Sequence, residues 1–124
     1  MNHTYDTAVY LFEQDSGISG TIAQLCEEKS IGLHRYHSEE ELVLAIQEQK
    51  PFCIILASDV PKTNTLMLLE KLKKIPVIIL GKHSDVSSAV ATIKAGAIDY
   101  IEKPVVYGRL AEHFNQLLKQ LAPA

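Results

Sequence analysis

The chain has 124 residues, 47% of them hydrophobic and 22% charged, with a formal net charge of −3. Those figures fit one globular domain with one core, and no apolar run approaches the roughly 18 residues that a membrane-spanning helix needs. The slightly acidic balance and the absence of any long Lys/Arg stretch leave no electrostatic footprint for nucleic acid, so any DNA contact is expected from another domain.

The first segment, Thr7 to Phe12, is a short apolar run of β-formers that gives way to Glu13, Gln14, Asp15, Ser16 and Gly17. This predicts a buried strand ending in a loop. The ten residues from Met1 to Tyr10 lack a basic segment followed by a hydrophobic one, so no export signal is expected and the location is read as cytoplasmic. Ile18, Ile22 and Leu25 then recur at helical spacing, with Asp15 or Ser16 available as the N-cap.

Leu33 to Tyr36 is a weaker strand. Ser38 followed three residues later by Glu41 is a capping box ahead of Leu42, Val43 and Ile46, which predicts a second helix. Pro51 ends it. Phe52 to Ala57 is continuously apolar, as a strand covered on both faces of a parallel sheet must be.

Leu66, Leu69 and Leu72 mark a third helix, and Pro76 to Leu80 a fourth buried strand. Val86, Val90 and Ile93 mark a fourth helix ending at Gly96, where glycine suits a positive φ. A fifth strand spans Asp99 to Glu102 and leads to Lys103 and Pro104. Leu110, Phe114, Leu117, Leu118 and Leu121 line one side of a last helix.

Strict alternation of strand and helix with short connections implies parallel strands, right-handed crossovers and helices on both faces. The expected fold is α/β: a flavodoxin-like, doubly wound, five-stranded parallel sheet in the order 2-1-3-4-5 with five helices. Function then belongs at the carboxyl ends of the strands, which carry Glu13, Gln14, Ala57, Gly81 and Lys103.

Two cysteines, Cys26 and Cys53, fall within apolar periodic segments instead of in close pairs, so they are expected to be buried thiols without a disulfide or zinc site. His34 and His37 stand three apart in an extended segment and should face opposite ways, and with His83 they are not expected to bind metal. Lys71, Lys73 and Lys74 are the one basic cluster, at a helix end where they complement the dipole.

The stretch PVIILGKHSDVSSAVATIKAGAIDYIEKP, Pro76 to Pro104, resembles the second half of the receiver domain of bacterial two-component response regulators, with its AGAxDYxxKP ending. Glu13-Gln14-Asp15 stands where that family has its acidic cluster, so the resemblance covers the whole chain. It implies a module of two-component phosphorelay signalling. In that family an aspartate at the end of the third strand accepts a phosphoryl group, carboxylates after the first strand hold Mg²⁺, and a hydroxyl and a lysine offset the remaining charge.

Carried over residue by residue, the resemblance puts Ala57 at the acceptor position, four before Pro61, and a methyl group accepts no phosphate. Glu13 takes the first acidic position, neutral Gln14 the second, and Gly81 the hydroxyl position. Lys103 alone is kept, followed by Pro104 behind a cis peptide bond, and Tyr100 takes the switch-aromatic position. Three substitutions at one site imply a dismantled phosphoacceptor, a pseudo-receiver without a metal or other cofactor.

Asp59 and Ser58 are the nearest alternative acceptors, although Asp, Ser and Pro also suit an ordinary solvated turn. Lys103 is expected to pair with Glu13 across the vacant site, and Tyr100 to be a static aromatic. The expected function is that of a non-enzymatic interaction module. It would dimerise through its fourth helix, fifth strand and fifth helix, or contact a protein partner, and so control an attached, transcriptional output. On this reading residues 1–124 are the receiver part at the N-terminal end of a longer regulator, off the membrane. The alternatives are an atypical phosphoacceptor using Asp59 or Ser58, and a small-molecule sensor in the vacated pocket.

Overall fold

Helices and strands take their limits from side chains that the sequence supplies at each junction. The computed structural model describes residues 7–60, 63–82, 85–103 and 107–121. Pro61, His83 and Pro104, with the cis bond expected before the last, lie outside the described residues. In chain order the elements are β1 (Ala8–Phe12), α1 (Ser16–Glu28), β2 (Gly32–Arg35), α2 (Glu39–Glu48), β3 (Cys53–Ala57), α3 (Thr65–Lys71), β4 (Val77–Gly81), α4 (Val86–Lys94), β5 (Asp99–Glu102) and α5 (Tyr107–Leu121).

All four strand pairings are parallel and the order is β2-β1-β3-β4-β5. This is the flavodoxin-like arrangement. Parallel neighbours bury both faces, and β1, β3 and β4 are buried at every position. β2, at the edge, is exposed at three of its four residues.

Side chains alternate between two cores. Tyr10, Phe12, Ile54, Leu56, Ile79 and Tyr100 pack on the face that receives Leu42 of α2 and Leu68 and Leu69 of α3. Val9, Leu11, Ile55, Ile78 and Ile101 pack on the other, against Ile22 and Leu25 of α1 and Leu110 and Phe114 of α5. Phe114 is fully buried, with its ring edge-on to Phe52 at 6.0 Å between centroids. Burying a side chain of that size contributes about 1.5–3 kcal/mol.

Caps set where each helix leaves the strand ends. Asp15, Ser38, Asn64 and Asp85 each accept a hydrogen bond from a backbone N–H of the first turn, at 3.0, 3.2, 3.1 and 3.1 Å. The Ser38 box closes one residue early, because Glu41 Oε1 accepts from the N–H of His37 instead of that of Ser38. Gly96 has φ +116°, the left-handed conformation that ends α4.

The spacing that marks α3 and α4 leaves their inward faces open. In α3 Leu68 and Leu69 are buried, with Leu72 just beyond its end, while Leu66 is 43% exposed. In α4 the row Val86, Val90, Ile93 is the outer face, and Thr92 is the buried side chain. Apolar spacing identifies a helix correctly without saying which face the sheet takes. Lys73 and Lys74 fall beyond the end of α3; Lys73 pairs with Glu70 at 3.0 Å and Lys71 with Glu39 at 3.4 Å.

Candidate functional site at the strand ends

The register brings the chemistry together. Phe12 lies beside Leu56, Ala57 beside Leu80, and Gly81 beside Glu102, so the residues that follow β1, β3, β4 and β5 share one rim. Glu13, the first residue after β1, is only 6% exposed although it carries a carboxylate. A charge so desolvated requires a partner. Its Oε1 accepts from the N–H of Asp15 at 3.0 Å, and its Oε2 lies 2.8 Å from Lys103 Nζ. Oε2 forms no hydrogen bond of good geometry, so this contact is Coulombic attraction, which needs proximity and not alignment.

Lys103 also donates to Asp59, at 3.0 Å to Oδ1 and 3.1 Å to Oδ2. One ammonium therefore serves two carboxylates. Burial alone would lower the Lys103 pKa, but Glu13 and Asp59 outweigh it and hold the ammonium above the usual lysine range.

Ala57 ends β3 in the core, 2% exposed, and offers no nucleophile. Gln14 is exposed. Neither Gln14 nor Ala57 supplies a carboxylate to the Glu13–Lys103 pair. The donor set does not suit a hard divalent cation of the Mg²⁺ kind, which needs several oxygens in octahedral array. Among the described residues the one buried carboxylate, Glu13, faces an ammonium, which would repel a cation. Among the described residues no three His, Cys, Asp or Glu side chains converge on a point that a metal ion fits. His34 lies exposed on β2 with its ring edge-on to Tyr10.

Gly81 closes the other side. A Cβ there would overlap the phenol oxygen and Cζ of Tyr100 and come within 2.5 Å of Cε2, because the Tyr100 ring fills that space. Tyr100 is 6% exposed, and its hydroxyl donates to the carbonyl of Lys82 at 3.4 Å. Burial raises its pKa, with Ser58 acting in the opposite direction.

An open cleft of about 640 Å³ lies between α3 and α4, lined by Ser58, Asp59, Asn64, Lys82, Asp85 and Ser88 among others. It stands beside the position read from the sequence as a vacated pocket. That position is itself occupied by Lys103 and its two carboxylates.

Asp59, expected as a loop residue or a spare acceptor, is a partner of Lys103. A second cluster, not expected from the sequence, lies below the rim. Asp99 accepts from Arg109 Nη2 at 2.6 Å and Nε at 2.8 Å, and contacts His113 Nε2 at 2.7 Å. Arg109 and His113 stand four apart and so share a face of α5, which was the available signal. Burial opposes ionisation of Asp99, but Arg109, His113 and the N–H of Tyr100 more than offset it and hold the carboxyl below its usual range.

Comparison with known proteins agrees with this architecture. The chain is 24% identical over 120 residues to the transcriptional regulatory protein FixJ of Bradyrhizobium diazoefficiens, covering 94% of this chain and 58% of FixJ. It is 27% identical over 129 residues to the response regulator protein TodT of Pseudomonas putida, covering 99% of this chain and 56% of TodT. The chain thus spans little more than half the length of these relatives. Among solved structures, the receiver domain of the Francisella response regulator 1452 superposes with a TM-score of 0.80 at 25% identity, over 94% of this chain and 99% of that one. A response regulator receiver domain protein from Clostridium thermocellum superposes with a TM-score of 0.79 at 25% identity, over 92% and 95%. Residues 9–115 match the family described as the response regulator receiver domain, and the chain belongs to that family.

Proposed function

We propose that this receiver domain signals through contacts and not through phosphoryl transfer. The observation that carries the reading is the state of Lys103: the cation that would offset a phosphoryl group already holds Glu13 at 2.8 Å and Asp59 at 3.0 Å, beside an Ala57 that has nothing to phosphorylate. Gln14 and Gly81 withhold the second carboxylate and the hydroxyl. On this reading Glu13, Gln14, Gly81 and Lys103 are remnants of a phosphoacceptor site, and the domain is a cytoplasmic pseudo-receiver that needs no metal and catalyses no reaction.

The attached output is inferred from relatives. FixJ is named a transcriptional regulatory protein and is longer than this chain, so residues 1–124 are read as the receiver part of a longer transcriptional regulator, with DNA contact left to the remainder. The contact surface we assign is the face of α4, β5 and α5. It exposes Val86 (70%), Val90 (48%) and Ile93 (45%) in one row, and a contiguous apolar row on a surface marks an interface. Arg109, on the same face, is engaged by Asp99, so association rests on the apolar row. A second copy of the chain is the partner proposed.

A second reading is favoured by the Asp59 contact: a carboxylate held by Lys103 in two hydrogen bonds stands close to where an acceptor would, so Asp59 is the alternative phosphorylation site. Sedimentation equilibrium decides between contact and transfer. Dimerisation is expected, unchanged by acetyl phosphate with Mg²⁺ and weakened at least tenfold by Val90→Glu, as for a central interface residue. A monomer at high concentration, both alone and in the full-length regulator, contradicts the contact reading, and donor-dependent association favours Asp59.

A further inference from the structure

We propose that Gly81 and Tyr100 form an interlock that holds the β4–β5 end of the domain in a single conformation whatever happens at Lys103. The proposal deepens the contact-based reading above by naming how that surface is kept constant. Gly81 is the last residue of β4 and pairs with Glu102; Tyr100 lies two residues earlier on β5, beside Ile79. Tyr100 and Ile79 belong to the core under α2 and α3, and the Tyr100 ring leans along the strand until it occupies the space over Gly81.

The fit is reciprocal. Any side chain at position 81 would overlap the ring, so the inward tyrosine requires glycine there. A ring that left would open a void over Gly81 and give up the phenol's bond to the Lys82 carbonyl. The void disfavours the open state. Each 1.4 kcal/mol of such penalty reduces the outward population tenfold. Lys82 is the first residue after β4, so its bond to Tyr100 ties the end of β4 to β5, and Ala89 of α4, on the helix that carries Val86, Val90 and Ile93, packs against the core to which Tyr100 belongs. The rim at Lys103 is separately closed by Glu13 and Asp59, so neither end of the site waits for a ligand.

The test uses the full chain labelled with 3-fluorotyrosine; it has five tyrosines, and Tyr100→Phe assigns the line of interest. One Tyr100 fluorine line is expected, protected from a dissolved nitroxide and unmoved by acetyl phosphate with Mg²⁺. Gly81→Ala should displace it and make it nitroxide-sensitive. A wild-type line that the nitroxide broadens, or a line that Gly81→Ala leaves in place, overturns the interlock. Should Gly81→Ala fold too poorly for that measurement, a denaturation cycle answers the same question through milder partners. Gly81→Ser should lower the folded-to-unfolded ratio about tenfold or more beside Tyr100, as overpacking does, and less than about threefold beside Tyr100→Ala. Equal penalties in the two backgrounds overturn the proposal. The two readings fail separately: phosphoryl uptake with a static Tyr100 line refutes the functional reading alone, and a mobile line without uptake refutes the interlock alone.

Discussion

Lys103 Nζ holds Asp59 by both carboxylate oxygens, at 3.0 and 3.1 Å, while Glu13 approaches the same ammonium from the buried side at 2.8 Å. A lysine so shared does not stand ready for a new anion. It also makes Lys103 a structural residue. Glu13 is the more buried partner, its side chain 3% exposed against 18% for Lys103, so removing the cation strands a desolvated carboxylate.

Lys103→Met is therefore expected to destabilise the fold by roughly 2–3 kcal/mol, below the range for a fully buried pair because Lys103 reaches solvent. The sign of the pH dependence follows from its raised pKa. Its contribution is fully present below the unfolded lysine value of about 10.4 and is lost as pH rises through the higher folded value. Urea unfolding from pH 7 to 11 should show an alkaline loss of stability in the wild type that is reduced in Lys103→Met. Parallel curves at equal stability contradict the pairing.

Asp99 gives the opposite limb. Its folded pKa lies below the unfolded value, so its contribution is present above about pH 3.9 and is lost as pH falls through the folded pKa. Asp99→Asn should be less stable than the wild type at pH 6, with the difference narrowing towards pH 3. A difference that is constant with pH would show that the Arg109 and His113 contacts do not depend on the charge of Asp99.

Cys26 and Cys53 are 1% and 0% exposed, and burial pushes the Cys26 thiol up to about 11 and Cys53 further. Since the thiolate is the reactive form, both should resist an aromatic disulfide reagent at pH 8 until the chain unfolds. Titration of either thiol at a rate faster than global unfolding contradicts their placement in the core.

The sheet was legible because its physics is local to each segment. Phe52 to Ala57 and Pro76 to Leu80 are continuous apolar runs, and Ser38 and Asp15 announce their helices, so five alternating units follow from pattern alone. The orientation of α4 was not legible. Val86, Val90 and Ile93 have core-like spacing and yet face outward, because small Ala89 and buried Thr92 allow α4 to sit close on the other side. The residues that meet at the strand ends could be located from the sequence. What fills the space they leave could not, since Asp59 reaches Lys103 across 44 residues of sequence and Tyr100 enters the Gly81 notch through a loss of volume that only packing reveals.

Ala57→Asp alone is expected not to restore phosphorylation. The new carboxylate would join Glu13 and Asp59 near one ammonium, and like charges raise a carboxyl pKa unless a cation compensates. Losing one preorganised donor typically costs about 10²–10³ in rate, and Gly81 still lacks its hydroxyl. The triple variant Ala57→Asp, Gln14→Asp, Gly81→Thr should label faster than the single one, once the threonine has expelled Tyr100. Equal rates of acyl-phosphate formation would confine the loss to the acceptor.

Intact mass of the wild-type chain after incubation with acetyl phosphate and Mg²⁺ separates signalling by contact from phosphoryl transfer. The mass is expected to stay unchanged under conditions that label a receiver with an intact acceptor. A gain of one phosphoryl group, mapped to Asp59 or Ser58, would contradict the contact reading.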